Sequence, residues 1–76
     1  MNEIEILKSA IEERNISKTD LSMKLGYKRA SSVTNVLTGD RKLLLNNFCK
    51  MLNAMGYDVV VRDQYDKKKE WVVDAE

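Results

Sequence analysis

Seventy-six residues carrying 13 Lys and Arg against 12 Asp and Glu, with a formal charge of +1, describe one small domain, residues 1–76. The single cysteine, Cys49, excludes an internal disulfide, so a core this modest is expected to gain its extra stability by subunit association. The chain has no histidine, no glycine-rich phosphate loop and no apolar run of bilayer-spanning length, which argues against an enzyme, a metal site, a cofactor or a membrane partner. The opening MNEIEIL lacks a basic signal-peptide head, and with one unpaired cysteine the expected compartment is the cytoplasm.

A first helix is predicted from Glu3 to Arg14, with Ile4, Leu7, Ala10 and Ile11 as its apolar stripe. Asn2 is its expected cap, and Glu3 and Glu5 suit the positive end of its dipole. Ser17 is the expected cap of a second helix, Lys18 to Leu25, with Asp20 in a capping-box-like position. Lys18 at that helix start is placed to meet a phosphate.

Gly26 marks a sharp turn into a third helix, Ala30 to Thr38, whose Val33, Val36 and Leu37 follow the i, i+3, i+4 spacing of a buried face. Its remaining residues are short and polar: Ser31, Ser32, Thr34, Asn35 and Thr38, with Lys28 and Arg29 just ahead. Such a helix suits the edges of bases in a DNA major groove. Tyr27 has two readings, a ring that plugs the helix pair or a hydroxyl that touches a phosphate. Gly39 closes the third helix, and Arg41 and Lys42 follow in an exposed loop as candidate phosphate contacts.

A fourth helix, Leu45 to Met55, turns Leu45, Phe48, Cys49, Leu52 and Met55 to the core and ends at Gly56. Beyond it the period changes. Two stretches rich in β-branched residues, Tyr57 to Arg62 and Glu70 to Asp74, flank a polar connector and predict a β-hairpin over 57–76. With Tyr65 opposite Trp71, the side chains of Val59, Val61, Tyr65, Trp71 and Val73 share one face and Arg62 opposes Asp74. That face is the preferred dimer interface; the other reading is a hairpin that only caps its own core. Charge divides along the same lines: residues 1–16 carry −2, residues 17–50 carry seven basic against two acidic groups, and residues 51–76 carry −2.

The stretch LSMKLGYKRASSVTNVLTGDR resembles the Cro/CI-type (XRE) helix-turn-helix regulators in Leu21, Leu25 and Gly26, then Val33, Val36 and Leu37, then Gly39. The run MGYDVVV resembles a short subgroup of that family that continues into a β-hairpin. The chain departs from the common pattern in a turn one residue longer before Val33 and in lacking a glutamate ahead of the closing glycine. The resemblance implies a mainly α (α+β) fold: a four-helix, lambda-repressor-like helix-turn-helix bundle over 1–56, then the hairpin. It also implies base-reading positions at Ser31, Ser32, Thr34, Asn35 and Thr38, and phosphate contacts at Lys28, Arg29, Arg41 and Lys42. The function so implied is a homodimeric transcriptional regulator, a repressor of a phage or mobile-element operon, on palindromic double-stranded DNA. A different reading of the same scaffold is a protein-interaction module, such as an antitoxin or a phage inhibitor gripping a toxin or host protein.

Overall fold

A computed structural model describes residues 1–29 and 31–75. Four helices, α1 (Glu3–Arg14), α2 (Lys18–Lys24), α3 (Ser31–Thr38) and α4 (Leu45–Ala54), precede an antiparallel hairpin of β1 (Val59–Arg62) and β2 (Glu70–Val73). The α+β architecture matches the expectation. The expected start of α3 at Ala30 lies outside the described residues. The other shifts are at ends: Leu25 and Met55 are caps rather than the last helical residues, and both strands are shorter than the β-rich stretches that contain them.

Local chemistry accounts for the boundaries. Asn2 Oδ1 accepts the Glu5 N–H at 2.9 Å, and Ser17 Oγ accepts the Asp20 N–H at 3.0 Å, so each cap satisfies a donor that the helix leaves open. Three helices end in the same paired closure. In it the residue after the turn donates back to a carbonyl five positions earlier: Ile16 to Ile11, Tyr27 to Ser22 and Tyr57 to Leu52.

Leu7, Leu21 and Val33 are wholly buried, and Ala10, Val36, Leu37, Met51, Leu52 and Met55 complete their cluster. Ile4, Ile11, Leu25, Tyr27 and Phe48 pack around it, which gives Tyr27 the ring-burying role. Cys49 is buried and free, as a small apolar residue would be. Leu45 departs from expectation: it is 65% exposed. It points the same way as Phe48 and Leu52 on the helix wheel but stands in the first turn, where no neighbouring helix covers it. Met51 takes a core place that the spacing argument omitted.

The hairpin pairs Val59 with Val73, Val60 with Val72, Val61 with Trp71 and Arg62 with Glu70. Two expectations are corrected here. Arg62 faces Glu70 instead of Asp74, and Tyr65 lies in the connector, 97% exposed, instead of opposite Trp71. The cause is Asp63, whose Oδ1 accepts the N–H groups of Tyr65 and Asp66 at 2.8 and 3.3 Å and so curls the chain out of the strand. Asp66 repeats the device by accepting from Lys68. One strand is offset against the other by four residues from the expected register, an even number, so Val59, Val61, Trp71 and Val73 still share one face.

That face is only half covered. Val59 and Val73 are half-buried, and Val59 packs against the helical core, whereas Val61 and Trp71 further out are 53% and 57% exposed. Val60 and Val72 on the opposite face are exposed as well.

The hairpin is tied to α1 by a contact between residues far apart in sequence. Arg14 Nε donates to the Met55 carbonyl at 3.0 Å, and the guanidinium lies 4.3 Å from the centre of the Tyr57 ring. Loss of water around the phenol pushes Tyr57 above its ordinary pKa; the Arg14 charge opposes that shift and the Glu13 carboxylate reinforces it. Arg14→Ala is expected to lower stability by about 1 kcal/mol in urea unfolding, from the loss of one charge-assisted hydrogen bond and one ring contact at an exposed side chain. Arg14→Lys should recover little of that loss, because a point charge does not reproduce the planar fork that makes both contacts.

Candidate nucleic-acid interface

The rotation of α3 is set by what it buries. Val33, Val36 and Leu37 turn into the core, which leaves Ser31, Asn35 and Thr38 as an exposed stripe at i, i+4 and i+7. Ser32 and Thr34 flank the stripe and are half-buried. Of the five residues expected to face a base, three therefore stand fully outward and two at the margins.

Thr38 is already engaged. Its hydroxyl lies 3.1 Å from Asp40 Oδ2 and 3.3 Å from the Asn35 carbonyl, so its one proton serves the end of its own helix. The Arg41 N–H returns to the same Asn35 carbonyl at 3.1 Å, which holds the 39–42 loop against the last turn of α3. The Asn35 side-chain amide carries the fullest set of donors and acceptors on the stripe, and it is exposed.

Cations bracket this stripe. Lys28 and Arg29 precede α3, Arg41 and Lys42 follow it, and all four are exposed. Lys18, at the start of α2, lines an open depression with Lys8 and Glu12 of α1 and Leu37 and Thr38 of α3, so it stands beside the far end of the stripe. Lys8 joins the group through tertiary packing alone, which the sequence did not signal. Among the described residues, none of the five expected phosphate-contacting side chains is drawn into an ion pair. Of the carboxylates at this end, Asp40 is turned toward Thr38 and Glu12 shares the depression with Lys18.

The dimer residues expected from sequence divide into three sets. Val59 and Val73 serve the protein's own packing, Val61 and Trp71 are open, and Tyr65 stands apart in the connector, where Lys69 Nζ rather than Tyr65 approaches the Trp71 ring, at 5.7 Å from its centre. Val60 and Val72 are further open residues that reasoning confined to one face left out.

Among the described residues, no group of three or more potential ligands is placed to hold a metal ion, and no helix is long and apolar enough to cross a membrane. Comparison with family models, with curated proteins and with solved structures finds no match to the chain.

The angle at which α3 leaves α2 depends on Gly26, which sits at φ +77° with nothing within 4 Å of the Cβ it lacks. Alanine there meets backbone strain and no steric contact, so Gly26→Ala should cost about 1 kcal/mol in urea unfolding. Gly26→Asn should cost less, since asparagine tolerates this conformation and Asn15 holds φ +50° in the equivalent turn after α1.

Proposed function

We propose that this chain is a sequence-specific double-stranded-DNA-binding regulator of transcription, of the Cro/CI (XRE) kind. It acts in the cytoplasm as a homodimer on a palindromic operator, repressing a phage or mobile-element operon. The observation that carries this reading is the exposed Ser31–Asn35–Thr38 stripe on a helix with exposed cations at both ends. A helix with small polar residues outward fits the width of a major groove, and Asn35 is suited to a bidentate pair with adenine. Lys28 and Arg29 on one side and Arg41 and Lys42 on the other suit the phosphates of the groove walls, with Lys18 as a further contact.

A helix of eight residues spans too few base pairs to specify an operator alone. Two copies related by a two-fold axis would present α3 to successive major grooves about one helical turn apart. A second reading, a module whose hairpin grips another protein, is favoured by the open valines and Trp71 and is compatible with DNA binding by the rest of the chain.

Selection of bound duplexes from a random pool tests the main reading. A palindrome with half-sites about one turn apart is the expected product; a pool with no enriched sequence overturns it. On the selected duplex, Asn35→Ala should weaken binding by about 1–3 kcal/mol, roughly ten- to hundredfold, while affinity for random DNA stays nearly level. Equal losses on both would remove Asn35 from base reading. Arg41→Ala with Lys42→Ala should reduce the slope of log K against log salt by about 2 per subunit, as two phosphate contacts are lost. An unchanged slope would take both residues off the phosphate list.

A further inference from the structure

The two edges of the hairpin differ in what they offer. The Asp63 N–H donates to the Lys69 carbonyl at 3.0 Å, which makes 63 and 69 a hydrogen-bonded pair. Alternation along an antiparallel ladder then turns the N–H and C=O groups of Val61 and Val59 inward to β2, and those of Val60 and Arg62 outward. On β2 the outward residues are Glu70 and Val72 by the same rule. Both edges are thus rows of unpaired backbone groups on exposed residues, which is how a strand recruits another strand.

We propose that a second copy of this chain docks on the β1 edge, pairing β1 with β1 antiparallel about Val60 to form a four-stranded sheet ordered β2–β1–β1–β2. Charge favours this edge and this partner. Pairing centred on Val60 places Arg62 opposite the partner's Asp58, and the two-fold axis makes that contact twice. Arg62 and Asp58 are exposed, and neither is held in an ion pair among the described residues. The same operation on β2, centred on Val72, places Glu70 opposite the partner's Asp74, and like charges directly opposed repel. The β1 pairing also sets Val61, uncovered in the single chain, beside the partner's Val59, whose own helices cover that position. The open half of each apolar face therefore lies against the covered half of the other.

This inference deepens the dimeric reading given above and rests on it, while standing apart from DNA recognition. It is tested on the full chain without DNA, by sedimentation across a dilution series with far-UV circular dichroism as the check on folding. The wild type is expected to sediment as a dimer, and a wild type that stays monomeric at all concentrations removes the dimer itself. Val60→Pro deletes an outward N–H that the hairpin's own ladder does not use, so it should abolish the dimer and leave the spectrum intact. Val72→Pro deletes the matching group on β2 and should leave the dimer whole. A dimer that survives Val60→Pro, or is lost in Val72→Pro, overturns the edge assignment while leaving dimerisation standing. Charge reversal provides a test without proline: Asp58→Arg should raise the dimer Kd about tenfold, since both symmetry-related pairs then oppose two cations while inside the hairpin the new cation faces Asp74, and Asp58→Glu should leave the Kd nearly level. An unchanged Kd for Asp58→Arg overturns the register.

Discussion

The polar face of α3 exists because three of its eight residues are held inward. Val33, Val36 and Leu37 are buried in the same small cluster as Leu7 and Leu21, and each residue along a helix advances the side chain by about 100°. Rotating α3 by one residue would carry Thr34 toward the core in place of Val33 and Leu37 would give way to Thr38. Either exchange takes a buried valine or leucine out of the cluster, a loss of about 1.5–3 kcal/mol each. The outward placement of Asn35 is therefore enforced from the opposite side of the helix, by apolar residues that play no part in any contact Asn35 makes.

The same economy governs the connections. At Asn15, Gly26 and Gly56 a single left-handed residue ends a helix, and the next residue swings back: Ile16, Tyr27 and Tyr57 are all partly buried against the cluster. Each turn thus both stops a helix and delivers an apolar side chain to a core short of them. At the third turn this has a tertiary consequence. Tyr57 arrives where Arg14, at the end of α1, can lie on its ring and reach the Met55 carbonyl, so the exit toward the hairpin is bound to the first helix.

What was legible in the sequence was what is local. Asn2 and Ser17 as caps, the glycine stops at 26, 39 and 56, and the inward set Val33, Val36 and Leu37 each follow from interactions spanning no more than a few residues. The strand faces were legible too, because alternation survives an even shift of register. The register itself was not, since it depends on how many residues Asp63 and Asp66 draw into the connector through hydrogen bonds that leave no periodic trace. Leu45 shows the limit of a wheel argument, which gives direction but not whether another element stands there to cover it. The Arg14 contacts to Tyr57 and Met55, and the approach of Lys8 to Lys18, join residues that only the packed bundle brings together.

The hairpin's charges select among its own possible pairings. Two copies of β1 meeting through the outward groups of 58, 60 and 62 can place the two-fold axis on one of these residues, or on 59 or 61 between them, where Arg62 and Asp58 meet only uncharged residues. Centring on Arg62 opposes two guanidinium groups and centring on Asp58 opposes two carboxylates; centring on Val60 alone opposes unlike charges. On β2, the symmetric pairing about Val72 opposes Glu70 and Asp74, both acidic. One strand edge therefore discourages a copy in that register, and on the other the register about Val60 is the one that charge rewards. A short, apolar hairpin left open on both faces is a hazard for indiscriminate strand addition, and four charged residues at 58, 62, 70 and 74 convert that hazard into a specific preference.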